Sequence, residues 1–265
     1  MKSLAARRRH PAAFALLLML GLLITGGMYA AFAPTTTAQA TAPAATAAEE
    51  VKAGEMLFLA NCSTCHGINA VGTKEGPSLI GVGAASVDFQ VGTGRMPLPQ
   101  ANVQAVRNTV QYTDEQIKQM AAYVASLGPG PAIPDAKYTD DLEGANVSRG
   151  GDIFRVNCSM CHNYAGSGGA LTRGKFAPPL RSIEGKHLYE AMLTGPQSMP
   201  VFNDQNITPD AKRDVIAYMH ELDKSNNPGG NSLGSFGPVG DGYFLWLIGM
   251  PIMLGAAVWL GRKAA

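Results

Sequence analysis

Cys62-Ser63-Thr64-Cys65-His66 and Cys158-Ser159-Met160-Cys161-His162 are two copies of one five-residue pattern, and together they hold all four cysteines of the 265-residue chain. Each copy must therefore fold so that two thiols and an imidazole face one common object. A zinc centre would need further cysteines, and a thioredoxin-like Cys-x-x-Cys leaves the histidine after each pair unexplained. Cys-x-x-Cys-His is the attachment pattern of c-type haem: the thiols form thioether links to the porphyrin, and the histidine is the proximal iron ligand. Cys62, Cys65, Cys158 and Cys161 are thus expected to bind two covalent haem c groups, with His66 and His162 on the irons. No thiol is left for a structural disulfide.

The flanks of the two motifs repeat as well. Ala53-Gly54-Glu55-Met56-Leu57-Phe58-Leu59-Ala60-Asn61 leads into the first, and Arg149-Gly150-Gly151-Asp152-Ile153-Phe154-Arg155-Val156-Asn157 into the second. Phe58 and Phe154 stand four residues before the first cysteine, on its helical face, and are expected to pack on the porphyrin or on the other terminal helix. Each unit also closes with a helix. The first starts at Thr113 with Gln116 in the capping-box position and apolar residues at Ile117, Met120, Ala121, Val124 and Leu127; the second starts at Thr208 with Pro209 in its first turn. The repeat places domains at 51–128 and 145–225, joined by a stiff, poorly structured connector at 129–144 that is rich in Pro and Gly at its start. Domains of about 80 residues have marginal cores, so the apolar porphyrin face is expected to be part of each fold.

Iron needs a ligand opposite the histidine. In the first unit the methionine between His66 and the closing helix is Met96, in Gly94-Arg95-Met96-Pro97. The second unit offers Met192, Met199, Met219, His187 and His220. Met199, in Gln197-Ser198-Met199-Pro200, is the counterpart of Met96, whereas Met192 and Met219 sit in helical segments and read as core. Met96 and Met199 are the expected ligands, and His220 reads as an ordinary helix residue. Gly76-Pro77-Ser78-Leu79 and Ala177-Pro178-Pro179-Leu180 occupy matching places, so the Pro77 and Pro178 carbonyls are candidate acceptors for the histidines' other ring nitrogen. With both axial positions filled, one-electron exchange is favoured over bond-making catalysis, and a Met/His pair raises the iron potential. The charge clusters Asp114 with Glu115, and Asp140, Asp141 with Glu143, read as solvated faces.

Both ends are apolar. Residues 11–33 carry no charge and follow Arg7-Arg8-Arg9; residues 243–260 carry none and precede Arg262 and Lys263. Each run can span a hydrocarbon layer of about 30 Å. The first has a competing reading as a cleaved export signal, with Ala38-Gln39-Ala40 as a cleavage pattern, but it is longer than the roughly 7–15 residues of a signal core. The basic residues put both termini in the cytoplasm and the haem domains on the outer face of the cell membrane. Residues 34–50 read as a flexible linker and 226–242 as a Gly/Pro-rich linker. A formal net charge of +1 gives no case for nucleic-acid binding.

Taken with Gly76-Pro77-Ser78-Leu79-Ile80-Gly81-Val82-Gly83, Thr93-Gly94-Arg95-Met96-Pro97, Ala191-Met192-Leu193-Thr194-Gly195-Pro196-Gln197-Ser198-Met199-Pro200 and Gly234-Ser235-Phe236-Gly237-Pro238, these features resemble the di-haem cytochrome c subunit of the actinobacterial menaquinol:cytochrome c reductase, the cytochrome bcc complex. The resemblance covers almost the whole chain. It implies an all-α fold, two tandem class I-like cytochrome c domains outside the membrane flanked by N- and C-terminal transmembrane helices. It further implies a cytochrome b and a Rieske iron–sulfur protein as partners, an aa3-type cytochrome c oxidase as electron acceptor, and a dimeric supercomplex in a lipid membrane. The chain itself would be an electron relay in a proton-translocating oxidoreductase. A free-standing di-haem peroxidase would instead need one iron without its methionine, and a membrane-anchored di-haem c partner of another redox system would need other neighbours.

Overall fold

The computed structural model describes residues 11–32, 44–100, 102–224 and 238–263. It divides into two units, Met1–Pro43 and Ala44–Ala265. The first unit is helix α1, Pro11–Phe32, 22 residues long. Its apolar side chains between 15 and 28 are exposed, Leu22 and Leu23 at 71% and 72%.

The second unit opens with α2, Ala44–Asn61, which begins inside the segment expected to be a loose linker. Ala44, Ala45, Ala47 and Ala48 are strong helix formers, and Glu50 is held by Lys118 at 2.7 Å from the closing helix. The short α3, Ser63–His66, follows, then α4, Gly83–Gly92, and α5, Asp114–Ser126. Thr113 and Gln116 form the expected capping box at the start of α5. The second repeat consists of α6, Val147–Asn157; α7, Ser159–His162; α8, Gly185–Thr194; and α9, Pro209–Lys224. Thr208 Oγ1 accepts from Ala211 N at 3.3 Å at the head of α9. A two-stranded antiparallel ribbon, β1 (Gly169–Ala170) with β2 (Phe176–Ala177), pairs Gly169 with Ala177 and Ala170 with Phe176. The fold is mostly helical, with this ribbon confined to one loop.

Terminal helices cross in each repeat, α2 on α5 and α6 on α9. Glycine permits the crossing. A Cβ at Gly54 would lie 1.9 Å from the Gln119 carbonyl oxygen, and one at Gly150 would lie 2.0 Å from that of Asp214. Phe58 and Phe154, 2% and 0% exposed, pack beside these crossings on Tyr123 and Tyr218, with ring centroids 5.2 and 5.5 Å apart. Each repeat has its own core: Phe58, Val87, Val91, Ile117, Met120 and Val124 in one, Phe154, Leu188, Met192, Val215, Ile216 and Met219 in the other. Met192 and Met219 are thus core residues, as their helical settings suggested.

The chain ends in α10, Pro238–Phe244, which starts within the segment expected to be a linker, then a π-helical turn at Leu245–Gly249, and α11, Met250–Lys263. Met250 N donates to Leu245 O across the wide turn. Pro251 has no N–H to donate, and the widened turn just before it is a local adjustment of the kind that accommodates such a residue. Gly242–Lys263 is long and apolar enough to cross a membrane, and none of it is buried in protein.

Candidate haem-binding sites

The cysteine motifs grow directly out of α2 and α6. Cys62 N donates to Phe58 O at 2.8 Å and His66 N to Cys62 O at 3.0 Å; in the second repeat Cys158 N donates to Phe154 O and His162 N to Cys158 O, both at 2.9 Å. The helix therefore runs on for one more turn, presenting both thiols and the imidazole from a single surface. Asn61 Nδ2 to Leu57 O and Ser63 Oγ to Leu59 O brace the first junction; Asn157 to Ile153 O and Ser159 to Arg155 O brace the second in the same way.

The imidazoles are oriented by the loops that follow. His66 Nδ1 donates to Pro77 O at 2.7 Å, and His162 Nδ1 donates to Pro178 O at 2.9 Å. A carbonyl can only accept, so Nδ1 carries the proton and Nε2 is left free as a ligand atom in both rings. Gly72 N to His66 O and Gly168 N to His162 O, 2.8 and 2.9 Å, fold the two loops alike. Burial holds the His162 imidazole below its ordinary value, opposed by the Pro178 carbonyl, which favours the neutral form that a metal ligand requires. Burial first, and the neighbouring cysteine second, push the Cys158 thiol up to about 11 and raise that of Cys62. All four thiols are free of disulfides.

Met96 and Met199 lie partly buried against the cores of their own repeats. Arg95 N and Met96 N both donate to Gln90 O at 2.9 Å, so the end of α4 pins the first methionine loop; Gly94 lets it pass against the Asn108 carbonyl. The second loop leaves α8 through Gly195 in a left-handed turn, where Met199 N donates to Pro196 O at 3.1 Å, and Phe202 N returns to Met192 O at 2.7 Å. In each repeat two free thiols, a histidine with its ligand nitrogen open and a core-directed methionine share one small domain. This donor set fits haem c. His220 sits apart, its Nε2 3.4 Å from Ile183 O.

The repeats also interlock, which the motifs did not announce. Gln104 Nε2 donates to Phe176 O at 2.7 Å and its Oε1 accepts from Phe176 N at 2.9 Å; Gln197 Nε2 donates to Ala105 O at 2.8 Å and its Oε1 accepts from Ala105 N at 3.2 Å. Two glutamine amides each make a paired bond to the backbone of the other repeat, and Gln197 is two residues from Met199. Helix α4 packs on α8, with Lys186 Nζ 2.8 Å from Asp88 Oδ2. Pro131 O, in the connector, accepts from Ala85 N at 3.1 Å, so the connector is laid along the first repeat. His187, one of the histidines after the second motif, belongs to this interface: it is 8% exposed and meets Phe89 edge-on at 6.1 Å.

Comparison with known proteins separates the two repeats in the same place. A family model for cytochrome c matches residues 51–128, and one described as Cytochrome C oxidase, cbb3-type, subunit III matches residues 145–219. The chain is a tandem c-type cytochrome, a class whose domains imply covalently bound haem c. It is 42% identical to the cytochrome bc1 complex cytochrome c subunit of Mycobacterium leprae, over 94% of this chain and 87% of that one, and 41% identical to that of Corynebacterium diphtheriae, over 99% of each. It belongs to the family of cytochrome c subunits of the cytochrome bc1 complex. A cbb3-type cytochrome c oxidase subunit FixP of Sinorhizobium medicae is similar at a lower level, 27% identical over 65% of this chain.

Proposed function

We propose that the chain is the two-haem relay of a respiratory menaquinol:cytochrome c reductase of the bcc type. Cys62 and Cys65 would hold one haem, with His66 and Met96 as its iron ligands; Cys158 and Cys161 would hold the other, with His162 and Met199. Single electrons enter from a Rieske iron–sulfur protein beside cytochrome b and leave to an aa3-type oxidase in a dimeric supercomplex that translocates protons. Residues 11–33 and 243–260 anchor the chain, with both termini cytoplasmic and the domains at 51–128 and 145–225 on the outer face.

Bound haem supplies reversible one-electron chemistry at iron. The polypeptide's own part is in its contacts: Pro77 and Pro178 fix the imidazoles, neighbouring backbone groups pin the two loops whose methionines would ligate iron, and the interface sets the separation of the domains. The paired glutamine contacts carry the relay reading. They tie the segment after Met96 to the second repeat at two places, with two hydrogen bonds to the strand at Phe176 and two to Gln197 in the Met199 loop, and so hold the two candidate ligand loops together. A relay needs that constancy, because electron exchange between centres requires a fixed short path rather than a mobile one.

Purification in mild detergent, with subunit identification and a reduced-minus-oxidised spectrum, tests the assignment. Two covalent haems per chain, together with cytochrome b, a Rieske protein and an aa3-type oxidase, are expected. The similarity to FixP and the match of residues 145–219 favour one other reading, an electron carrier of a cbb3-type oxidase. Recovery with such an oxidase and without cytochrome b would select it.

A further inference from the structure

The junction between the haem domains contains a cluster that electron relay as such does not use. Asp88 on α4 and Glu190 on α8 are 6% and 0% exposed, and one ligand-type atom from each of Asp88, His187 and Glu190 lies within 4.8 Å of the others. Glu190 Oε2 accepts from His187 Nδ1 at 3.0 Å. Glu190 Oε1 has no hydrogen-bond partner, and Asp88 Oδ2, also without one, has the Lys186 ammonium in ion-pair contact at 2.8 Å. Two buried carboxyl oxygens that can each only accept are stable side by side if a positive charge lies between them. A proton on Glu190 Oε1 supplies it and turns that atom into a donor to Asp88. A divalent metal ion would supply it too, but would have to bind against the lysine ammonium that already neutralises Asp88.

Helix α4 ends in the loop that carries Met96, and α8 ends in the loop that carries Met199, eight and nine residues beyond Asp88 and Glu190. The carboxyl pair therefore bridges the two elements that hold the candidate iron ligands. We propose that Glu190 and Asp88 form a redox-linked proton-binding site between the domains, which takes one proton from solvent when an electron arrives on the chain and returns it when the electron leaves. The balance is one electron from the upstream donor and one proton from water, with charge at the junction conserved; no bond between heavy atoms is made or broken.

The charged groups facing Glu190 are few. Asp88 comes from α4, Lys186 and His187 from α8, and Glu184 from just before it; Arg107, from the segment after Met96, acts on His187. On the α9 side Lys212 is taken by Asp204 and Ile207 O, and His220 lies near Ile183 O. Burial first, then the Asp88 charge, push the Glu190 carboxyl up to about 10, and burial holds His187 below its ordinary value, so Glu190 exchanges its proton on the alkaline side of neutrality. Loss of an electron adds positive charge and favours release. Lys186, at the solvent edge of the cluster with 38% of its side chain exposed, lies where a proton would enter.

This rests on the two-haem reading, and the experiment separates the two. The full chain is purified in mild detergent, and its haem content and methionine-ligated spectra are checked first; their failure tells against the haems, not against this site. Redox titrations then run from about pH 6 to about pH 10. At least one midpoint potential is expected to fall as pH rises in the upper part of that range. Glu190→Gln, whose amide copies the protonated acid, should abolish the fall with the haem spectra unchanged. Asp88→Asn should move it to lower pH, because the neighbouring negative charge is gone. An infrared redox-difference spectrum of the wild-type chain should show a protonated-carboxyl band that shifts on oxidation and disappears in Glu190→Gln. A pH-independent wild-type potential, a slope or band that survives Glu190→Gln, or one divalent metal per chain lost in that variant would each overturn the proposal.

Discussion

At the residue scale, the candidate methionines can be distinguished from one another by where they sit. Met96 and Met199 occupy loops that other residues pin from behind, whereas Met192 and Met219 are 4% and 1% exposed among helix-packing residues. Met96→Ala should change the spectrum of one haem and lower its potential, and Met199→Ala should do the same to the other, each leaving its neighbour as it was. Redox titration followed in the visible range checks this, and His220→Ala is the control, with both spectra unchanged. These candidates could be picked out of the sequence because the expected chemistry is local: five consecutive residues carry the thiols and imidazole, and a proline-flanked methionine marks each loop. The Pro77 and Pro178 acceptors were legible too, because the two loops repeat.

At the element scale, the crossing of terminal helices is the feature on which both domains depend. Gly54 and Gly150 hold the same place in the repeat, and each brings its helix against the backbone of the closing helix. Gly150→Ala forces α6 away from α9 at Asp214, whose carboxylate also holds Arg149 and accepts from Asn146 N at 2.8 Å. Overpacking of this kind costs about 1–3 kcal/mol. The second domain should melt earlier by that amount while the first is unchanged, as read by domain-resolved hydrogen exchange or by stepwise loss of the two haem spectra. The sequence showed the matching glycines and the aromatic residues beside them, but not what they were for, since a helix crossing is made by residues about 65 positions apart. It misplaced two helix starts for a related reason. Alanine and threonine without apolar spacing read as linker at 44–50, and the ion pair of Glu50 with Lys118 that extends α2 joins distant segments.

At the scale of the whole molecule, the two repeats that the sequence shows are joined by contacts it does not reveal. Gln104, Asp88, Lys186 and Glu190 stand in no motif, Gln197 only flanks the methionine of one, and each meets a residue of the other repeat, so no period or spacing could have paired them. The buried acid among them makes the joint sensitive to pH. The Glu190 carboxyl has an ordinary value of 4.5 and is pushed up to about 10 in the folded chain. A raised value means that the folded state binds the proton more tightly than the unfolded one, so the stabilisation is complete below the ordinary value and is lost as pH climbs through the folded one. From about pH 5 toward about pH 10 the docked second domain should therefore lose stability progressively. Lysine and tyrosine ionisation also act at the alkaline end, so the comparison has to be internal. Glu190→Gln has no proton to lose in either state, and its amide can donate to Asp88 while accepting from His187. Its melting temperature should fall less with pH than that of the wild-type chain, with the two curves diverging steadily through the neutral range. Parallel curves would mean that the carboxyl is as acidic in the fold as in water, and that another group neutralises the Asp88 and Glu190 pair.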